Sequence, residues 1–339
     1  MPDIGKVTSQ WGHYYNRGVD VYKKEGIQPF ISKGLSFSSL IAQKQYWDIR
    51  YGPGTSILDR DWDNLLIFDA CRYDYFRQVA PYDKEIIDSR RTVGSSTKEF
   101  LINTFTDKEV YDTVYITANP KYIKLSDIVE GPNPVFHDLV PVIDEWDPEI
   151  GTVPPGSVAE CARDCQARYP NKRLLIHFIQ PHYPFIGPTA SRIREHTGKN
   201  IGGSVPMESK KDDFDLDKHS RFNSYTDAIE AGISRQKIRT AYAESIAEVI
   251  KSTKSLTDDL PGKTVITADH GEHLGDKPIP FGGRLWGHPP GVRSDALCVV
   301  PWVEFESDSR KQITAEPPQE QPSVDNEVVE QRLRSLGYK

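Results

Sequence analysis

The segment TVITADHGEHLGD, residues 264–276, joins a short β-branched apolar run to a dense group of acidic and imidazole side chains. An apolar run of this length is typical of a buried strand. The chemically active side chains that follow it are Asp269, His270, Glu272, His273 and Asp276. Because a strand is a rigid support, its end can hold ligands at fixed distances. The segment therefore predicts a binding or catalytic site at a strand end.

Four further apolar runs predict more strands of the same kind. They are NLLIFDA (64–70), DTVYITANP (112–120), KRLLIHFIQPHYPF (172–185) and SDALCVVPWVEF (294–305). Apolar residues at helical spacing lie between these runs, and residues 234–256 are expected to form the longest helix. Continuous apolar strands that alternate with helices predict an α/β fold with a mainly parallel central sheet flanked by helices. Ligands of such sheets bind beyond the carboxyl ends of the strands, where Asp69, His182 and Asp269 lie.

The polarity of the chain predicts its domain organisation. Residues 1–60 are aromatic and polar and are expected to form a lead-in that packs on a main domain at 61–310. Within the main domain, residues 187–233 are polar, charged and glycine-bearing. They are interpreted either as an insertion over the active site, in the manner of a lid, or as a variable surface insertion. Residues 311–339 are expected to form a Pro/Glu-rich linker and a terminal helix.

Composition excludes several classes of protein. The 339 residues carry a formal net charge of -7, which argues against a nucleic-acid partner. No run of 18 apolar residues predicts a transmembrane segment, and the N-terminus has no apolar core of a secretory signal. These features predict a cytoplasmic location. The four cysteines are too few for a disulfide framework, and Cys161 and Cys165 are interpreted as helix packing.

Three side chains at strand ends predict a metal site. Asp69, Asp269 and His270 supply two carboxylates and an imidazole, which suit a hard or borderline divalent cation. Glu272 is expected to orient His270 or the loop backbone and not to bind the metal. His177 lies inside a predicted strand and is interpreted as a core histidine. His273 is expected to face solvent or to support the ligands.

The segment GSSTKEF, residues 94–100, offers three hydroxyl groups at the start of a predicted helix. Ser96 and Glu99 fit a capping box, and in one interpretation these residues only cap the helix. A helix N-terminus is also an anion site, because its N–H groups are free and its dipole is positive there. A hydroxyl group beside a metal at such a place can attack phosphorus or sulfur.

These motifs, in this order, resemble the alkaline phosphatase superfamily. The resemblance is to its branch of sulfatase-like hydrolases and phosphoethanolamine transferases. It covers roughly residues 60–305 and is carried by NLLIFDACRYD, GSSTKEF, HFIQPHYPF, TADHGEHLGD and GHPPG. The most specific of these pieces is TADHGEHLGD. The resemblance implies an alkaline phosphatase-like fold and a metal-dependent reaction at an ester.

The resemblance also implies roles for individual residues. Asp69, Asp269 and His270 resemble the shared metal ligands. One hydroxyl of GSSTKEF resembles the nucleophile that forms a covalent intermediate; Ser96 is preferred as the helix N-cap, followed by Thr97 and then Ser95. His182 and His288 resemble histidines that hold a second metal or the substrate, and either could protonate the leaving group. One metal is implied and two are compatible with the motifs; zinc, manganese and calcium all fit.

The chain departs from the sulfatase pattern at two places. Ala70 stands where sulfatases carry a second aspartate, and GSSTKEF lacks the proline and arginine that accompany formylglycine formation. A plain hydroxyl nucleophile is therefore expected, which favours phosphoryl transfer. Arg72 is interpreted either as a clamp for substrate oxygens or as an ion-pair partner of Asp74.

The function predicted from the sequence is that of a hydrolase acting on ester bonds. It would be a metal-dependent, sulfatase-like enzyme that cleaves a phosphate or sulfate ester through a hydroxyl nucleophile and a covalent intermediate. The predicted substrate is an anionic ester, either a small molecule or one linked to a glycan or lipid. One alternative is a transferase that moves a phospho-group to a glycan or lipid acceptor. Two others are an inactive binding protein of the same fold and an unrelated α/β protein with an acidic loop.

Overall fold

The computed structural model describes residues 42–123, 125–201, 225–278, 283–319 and 326–335. Contacts divide the chain into a small unit (1–52 and 277–284) and a large unit (53–276 and 285–339). In the small unit, residues 42–51 are helical and the rings of Trp47 and Tyr51 lie 4.7 Å apart. The prediction for residues 1–41 lies outside the described residues.

The large unit is built on one sheet of seven strands in the order β2-β9-β6-β1-β5-β3-β4. Strands β6, β1, β5, β3 and β4 are parallel, and β9 pairs antiparallel with both β6 and β2. A separate antiparallel hairpin joins β7 and β8. The strand bounds are β1 Asn64–Phe68, β2 Ile87–Arg91, β3 Val110–Thr117, β4 Phe136–Pro141, β5 Arg173–Phe178, β6 Thr264–Thr267, β7 His273–Asp276, β8 Leu285–Gly287 and β9 Val299–Phe305.

Helices cover both faces of this sheet. Their bounds are α1 Tyr73–Val79, α2 Thr97–Phe105, α3 Pro120–Ile123, α4 Leu125–Ile128, α5 Pro155–Arg168, α6 Pro188–Thr197, α7 Tyr225–Glu230, α8 Arg235–Thr253, α9 Leu256–Asp259, α10 Asp295–Cys298 and α11 Asn326–Ser335. The longest described helix is α8, as the spacing over 234–256 predicts. None of the described helices is both long and apolar enough to cross a membrane.

Alternation along β1 shows that the sheet is buried on both sides. Leu66 and Phe68 pack into one apolar cluster, with residues of α5 and α8. Leu65 and Ile67 pack into the other, with residues of α2 and β3. All four side chains are fully buried. A strand that is apolar on both faces is expected in a parallel sheet covered by helices, and the predicted α/β fold class is confirmed.

The predicted insertion at 187–233 is only partly described. Helix α6 begins at Pro188, α7 begins at Tyr225, and residues 202–224 lie outside the described residues. Its role as a lid stays a prediction.

Candidate active site

Two carboxylates lie at equivalent positions beyond neighbouring central strands. Ile67 of β1 pairs with Thr267 of β6, and two residues further along each strand the chain reaches Asp69 and Asp269. Both carboxylates are completely buried. The backbone N–H of Ala70 donates to Asp269 Oδ1 at 3.1 Å, which ties the two strand ends together. The parallel register therefore places the two aspartates side by side.

His177 joins this pair from the strand on the other side of β1. It pairs with Ile67, is completely buried, and its Nε2 lies 4.0 Å from Asp69 Oδ2. One ligand atom each from Asp69, His177 and Asp269 lie within 4.8 Å of one another. The His177 ring packs against the Tyr122 ring at 4.4 Å, as a core histidine would, but its Nε2 makes no hydrogen bond within the described residues and is directed at the carboxylates. The interpretation of His177 as a satisfied core histidine is therefore wrong for this nitrogen.

His270 lies at the centre of the site. Its Nδ1 lies 2.8 Å from the Gly271 carbonyl oxygen, so Nδ1 carries the hydrogen and donates it. Its Nε2 therefore carries the lone pair, and the Thr97 hydroxyl 3.0 Å away donates to it. The same nitrogen lies 3.4 Å from Asp269 Oδ2 and 3.5 Å from Asp69 Oδ1.

This geometry fits a bound divalent cation. Ligands that bind tetrahedral Zn²⁺ through bonds of 2.0–2.1 Å lie about 3.3 Å apart, close to the three separations from His270 Nε2. In addition, Asp269 Oδ2 and His177 Nε2 are buried and make no hydrogen bond within the described residues. Buried atoms of this kind are otherwise rare, and a cation would satisfy both. The predicted ligands Asp69, Asp269 and His270 thus lie together, and their binding of a metal stays a prediction.

The protonation of the two carboxylates and of His177 also fits a bound cation. Burial, followed by repulsion from Asp269, raises the pKa of Asp69 well above its usual range. Burial also acts to raise the pKa of Asp269, but His270 and two backbone N–H groups outweigh it and the pKa is lowered. Burial lowers the pKa of His177 to about 4, so this imidazole is neutral at pH 7. The site therefore combines the ionised carboxylate of Asp269 with the neutral imidazole of His177, and both are suitable ligands for a cation.

The three hydroxyl groups at the start of α2 have different partners. Ser96 is the N-cap, and its hydroxyl accepts from the Glu99 N–H at 3.4 Å. The Ser95 hydroxyl donates to Glu99 Oε2 at 2.9 Å. Only Thr97 contacts His270. The preference for Ser96 as the nucleophile is not supported, because a capping hydroxyl turns back toward its own helix.

Two further histidines lie against His270. The His288 ring is 4.5 Å from the His270 ring and 5.1 Å from the His182 ring. His182 Nδ1 donates to the Tyr183 carbonyl at 2.8 Å, and burial lowers the pKa of both His182 and His288 well below the usual range. Both rings are therefore neutral in the resting site, and their predicted roles in holding a second metal or protonating the leaving group stay predictions.

Glu272 contacts a different histidine from the one predicted. Its Oε2 accepts from His288 Nδ1 at 2.6 Å, and its Oε1 accepts from the Tyr225 hydroxyl at 2.9 Å. Of the two groups that Glu272 is expected to orient, His270 is held at Nδ1 by the Gly271 carbonyl instead, and a role for Glu272 in the loop stays a prediction. His288, predicted as a metal ligand, is fixed by Glu272 beside the group formed by the two aspartates.

Arg72 is committed to contacts within the protein. Its guanidinium donates to both oxygens of Asp74, at 2.9 and 2.7 Å, to Asp276 Oδ2 at 2.8 Å and to the Glu272 carbonyl at 3.2 Å. These bonds hold the start of α1 against β7. The predicted role in binding substrate oxygens is not supported, and the alternative ion pair with Asp74 is present.

His273 is buried, so of its two predicted positions the one facing solvent is wrong and the supporting one remains. Its Nε2 lies 3.2 Å from the Ser294 hydroxyl, and its side chain is completely buried. It packs where β7 meets the start of α10, so its contribution is to the support of the loop.

Comparison with known proteins gives matches among solved structures alone. No protein-family model matches the chain, and no curated protein matches it. One matching structure is the integral membrane lipooligosaccharide phosphoethanolamine transferase A of Neisseria meningitidis, with 14% identity and a TM-score of 0.43. The match covers 90% of this chain and 60% of that protein, so this chain spans well under two thirds of the transferase.

Two other matches are a second phosphoethanolamine transferase and a sulfatase. The periplasmic domain of a phosphoethanolamine transferase from Campylobacter jejuni has 11% identity and a TM-score of 0.43, over 72% of this chain and 78% of that one. The other is named a putative sulfatase from Bacteroides thetaiotaomicron. It has 14% identity and a TM-score of 0.42, and the match covers 75% of this chain and 66% of that one. Transferases and sulfatases are also the proteins that the sequence motifs resemble.

The comparison contradicts the predicted location. The matching transferases are an integral membrane protein and periplasmic domains, so the prediction of a cytoplasmic protein is wrong by this comparison and is withdrawn. At identities of 11–14%, the likeness extends to the fold and not to the activity.

Proposed function

We propose that this chain is a metal-dependent enzyme that cleaves a phosphate ester, with Thr97 as the nucleophile. The observation that carries the proposal is the position of the Thr97 hydroxyl, 3.0 Å from His270 Nε2 at the buried ends of β1 and β6. Ser95 and Ser96, the other two candidates, are engaged with Glu99.

Asp69, Asp269 and His270 would hold the metal, with His177 as a further nitrogen ligand. When bound, the metal would lower the pKa of the Thr97 hydroxyl and offset the charge of a phosphate group. Asn119 supports this arrangement, because its amide donates to Asp69 Oδ2 at 2.6 Å and fixes the carboxylate. Zinc is favoured over calcium, because the site offers imidazole nitrogen beside carboxylate oxygen.

The start of α2 would receive the anionic substrate. The first N–H groups of a helix have no partners within the helix, and the dipole is positive at this end. Thr97 is the first residue of α2, so an oxygen that attacks phosphorus from here lies beside those N–H groups. The same groups that bind the phosphate would then stabilise the charge that develops in the transition state.

The reaction would proceed in two displacements. In the first, Thr97 Oγ1 gives up its proton to a neutral imidazole of the site and forms a bond to phosphorus, while the ester oxygen leaves with the bonding electron pair and takes up a proton from that imidazole. In the second, an acceptor oxygen displaces Thr97. Neutral His182 and His288 are suited to take the proton from that acceptor, since each donates through Nδ1 and so carries a lone pair on Nε2. Water as the acceptor makes the enzyme a hydrolase, and an alcohol makes it a transferase.

Turnover of aryl phosphates, aryl phosphodiesters and aryl sulfates with added Zn²⁺ or Mn²⁺ tests this proposal. Thr97→Val is expected to remove turnover by on the order of 10³-fold or more, and Thr97→Ser to retain part of it. Ser96→Ala serves as the matched control, because it deletes the neighbouring hydroxyl and weakens only the cap, by about 1 kcal/mol. Mass spectrometry should find the trapped phosphoryl group on the peptide that contains Thr97.

Two outcomes would contradict the proposal. One is turnover that survives Thr97→Val and is lost in Ser96→Ala. The other is a protein that binds a divalent metal and turns over none of the three ester classes, which would favour the inactive binding protein. Adding glycerol or ethanolamine to the reaction distinguishes water from an alcohol as the acceptor.

A further inference from the structure

Tyr225 is placed by the rings that surround it. It is the first residue of α7, and its side chain is 1% exposed. Its ring is stacked on Phe185 at 6.2 Å with an interplanar angle of 29°, and lies 5.3 Å from the Trp286 ring. It meets the Tyr183 ring edge-on at 6.2 Å. With three aromatic neighbours, the ring has little freedom to turn, so the direction of its hydroxyl is set by packing.

That hydroxyl points at the carboxylate that binds His288. It donates to Glu272 Oε1 at 2.9 Å, and the other oxygen of the same carboxylate accepts from His288 Nδ1 at 2.6 Å. Glu272 is 1% exposed, so water does not compete for either oxygen. The three side chains form one continuous chain of hydrogen bonds that ends at a histidine of the site.

A carboxylate that is held at both oxygens cannot rotate about its own axis. The donor on Oε1 therefore determines where Oε2 lies, and Oε2 determines the plane of the His288 ring and which nitrogen carries the hydrogen. Outer partners of this kind fix the tautomer of an active-site imidazole and are worth 10–100-fold in affinity or activity when they are lost.

We propose that Tyr225 is a positioning residue for His288 and acts through Glu272. Its catalytic consequence rests on the proposed function, in which His288 Nε2 faces the reaction. The inference also gives a role to the polar segment 187–233. Tyr225 belongs to that segment, so this part of the segment would contribute to the site directly.

The test uses Tyr225→Phe, which keeps the ring and its packing and removes the hydroxyl alone. A control variant is Tyr82→Phe, because the Tyr82 hydroxyl oxygen is buried and makes no hydrogen bond within the described residues. Two quantities are measured in the full-length protein. The first is the imidazole N–H proton resonance of His288, assigned by its loss in His288→Ala. The second is kcat and KM for the best ester substrate.

A fixed N–H bound to a carboxylate gives a sharp downfield resonance that exchanges slowly with water. We expect this resonance in the wild type and in Tyr82→Phe, and we expect it to broaden or move upfield in Tyr225→Phe. We also expect kcat to fall by about 10–100-fold in Tyr225→Phe, with a smaller change in KM. A general loss of structure would instead change both variants or every histidine resonance.

An unchanged His288 resonance together with an unchanged kcat in Tyr225→Phe would overturn the proposal. A resonance that responds to Tyr225→Phe in a protein that turns over no ester would support the positioning role and contradict the proposed function. The two failures are therefore distinguishable.

Discussion

Tyr242 supports the segment on which Asp69 stands, and removing its hydroxyl should measurably destabilise the protein. The hydroxyl donates to the Ala70 carbonyl at 2.6 Å and accepts from the Arg72 N–H at 2.8 Å. Tyr242 is completely buried, and Ala70 has a φ of 61°, which an L-residue rarely adopts. The bonds from Tyr242 therefore hold the chain in a turn that it would not adopt alone.

The magnitude follows from what Tyr242→Phe leaves behind. One buried backbone carbonyl and one buried backbone N–H lose their partner, and each such group costs about 1–3 kcal/mol. The sum at the low end of that range predicts a loss of about 2 kcal/mol or more in the free energy of unfolding. Since the turn follows Asp69 directly, bound metal should also be lost more readily.

Urea unfolding of the wild type and of Tyr242→Phe measures this difference in the free energy of unfolding. Tyr75→Phe is the matched control, because its partly buried ring lies edge-on to Tyr242 at 5.2 Å and removal of its hydroxyl breaks no such pair of bonds. The control should stay within about 0.5 kcal/mol of the wild type, because Tyr75→Phe keeps the ring and its packing and leaves no buried backbone group without its partner. A loss below about 0.5 kcal/mol in Tyr242→Phe would refute the argument that these two bonds hold the turn.

Three further predictions test the metal, the electrostatics and the packing. Addition of Zn²⁺ should raise the thermal unfolding midpoint of the wild type, because a ligand of the folded state stabilises it, and should leave that of Asp269→Asn unchanged. Burial lowers the pKa of Lys311 to about 7, so the folded state binds fewer protons than the unfolded state between pH 7 and 10.5, the ordinary pKa of a lysine. The stability contributed by this group should rise with pH across that window, by up to about 1.4 kcal/mol per pH unit, and urea unfolding of Lys311→Gln should show a smaller slope than the wild type. A Cβ at Gly94 would collide with the Phe100 backbone nitrogen at the start of α2, so Gly94→Ala should lose about 1–3 kcal/mol in urea unfolding, whereas Gly156→Ala, where nothing lies within 4 Å, should lose none.

The centre of the sheet could be predicted from the sequence, and its edges could not. Strands β1, β3, β5, β6 and β9 are apolar runs because helices cover both of their faces. Strand β2, with the sequence IDSRR, lies at one edge and is buried only at Ile87. Strand β4 lies at the other edge. An edge strand needs few apolar residues, so it leaves little trace in the sequence.

Local rules also misplaced one strand boundary. The run SDALCVVPWVEF predicts a strand from residue 294, but Asp295–Cys298 form a helical turn with Ser294 as its N-cap. Strand β9 begins at Val299. Apolar residues at 296–298 suit a buried turn as well as a strand, and periodicity does not distinguish them over so short a length.

The hydroxyl groups at the start of α2 show how far a correct local prediction reaches. The capping rule identifies Ser96 as the N-cap, and the structure confirms that it caps the helix. The rule gives no direction for the next side chain, which depends on where β1 and β6 end. Thr97 contacts His270 across 173 positions of sequence, and only the tertiary fold brings the two together.

His177 was misinterpreted for a related reason. A buried histidine inside a strand has the same sequence signature whether it packs in a core or binds a ligand. What distinguishes the two is the partner of each ring nitrogen. Here Nδ1 lies 3.1 Å from the Tyr115 hydroxyl, whose residue belongs to the neighbouring strand β3, and Nε2 is directed at Asp69. A core histidine would use both nitrogens for bonds to the protein, whereas Nε2 of His177 makes none within the described residues and faces a second buried carboxylate. The position of His177 beside the two aspartates therefore depends on how β5 pairs with its neighbouring strands. The sequence of one strand does not show that pairing.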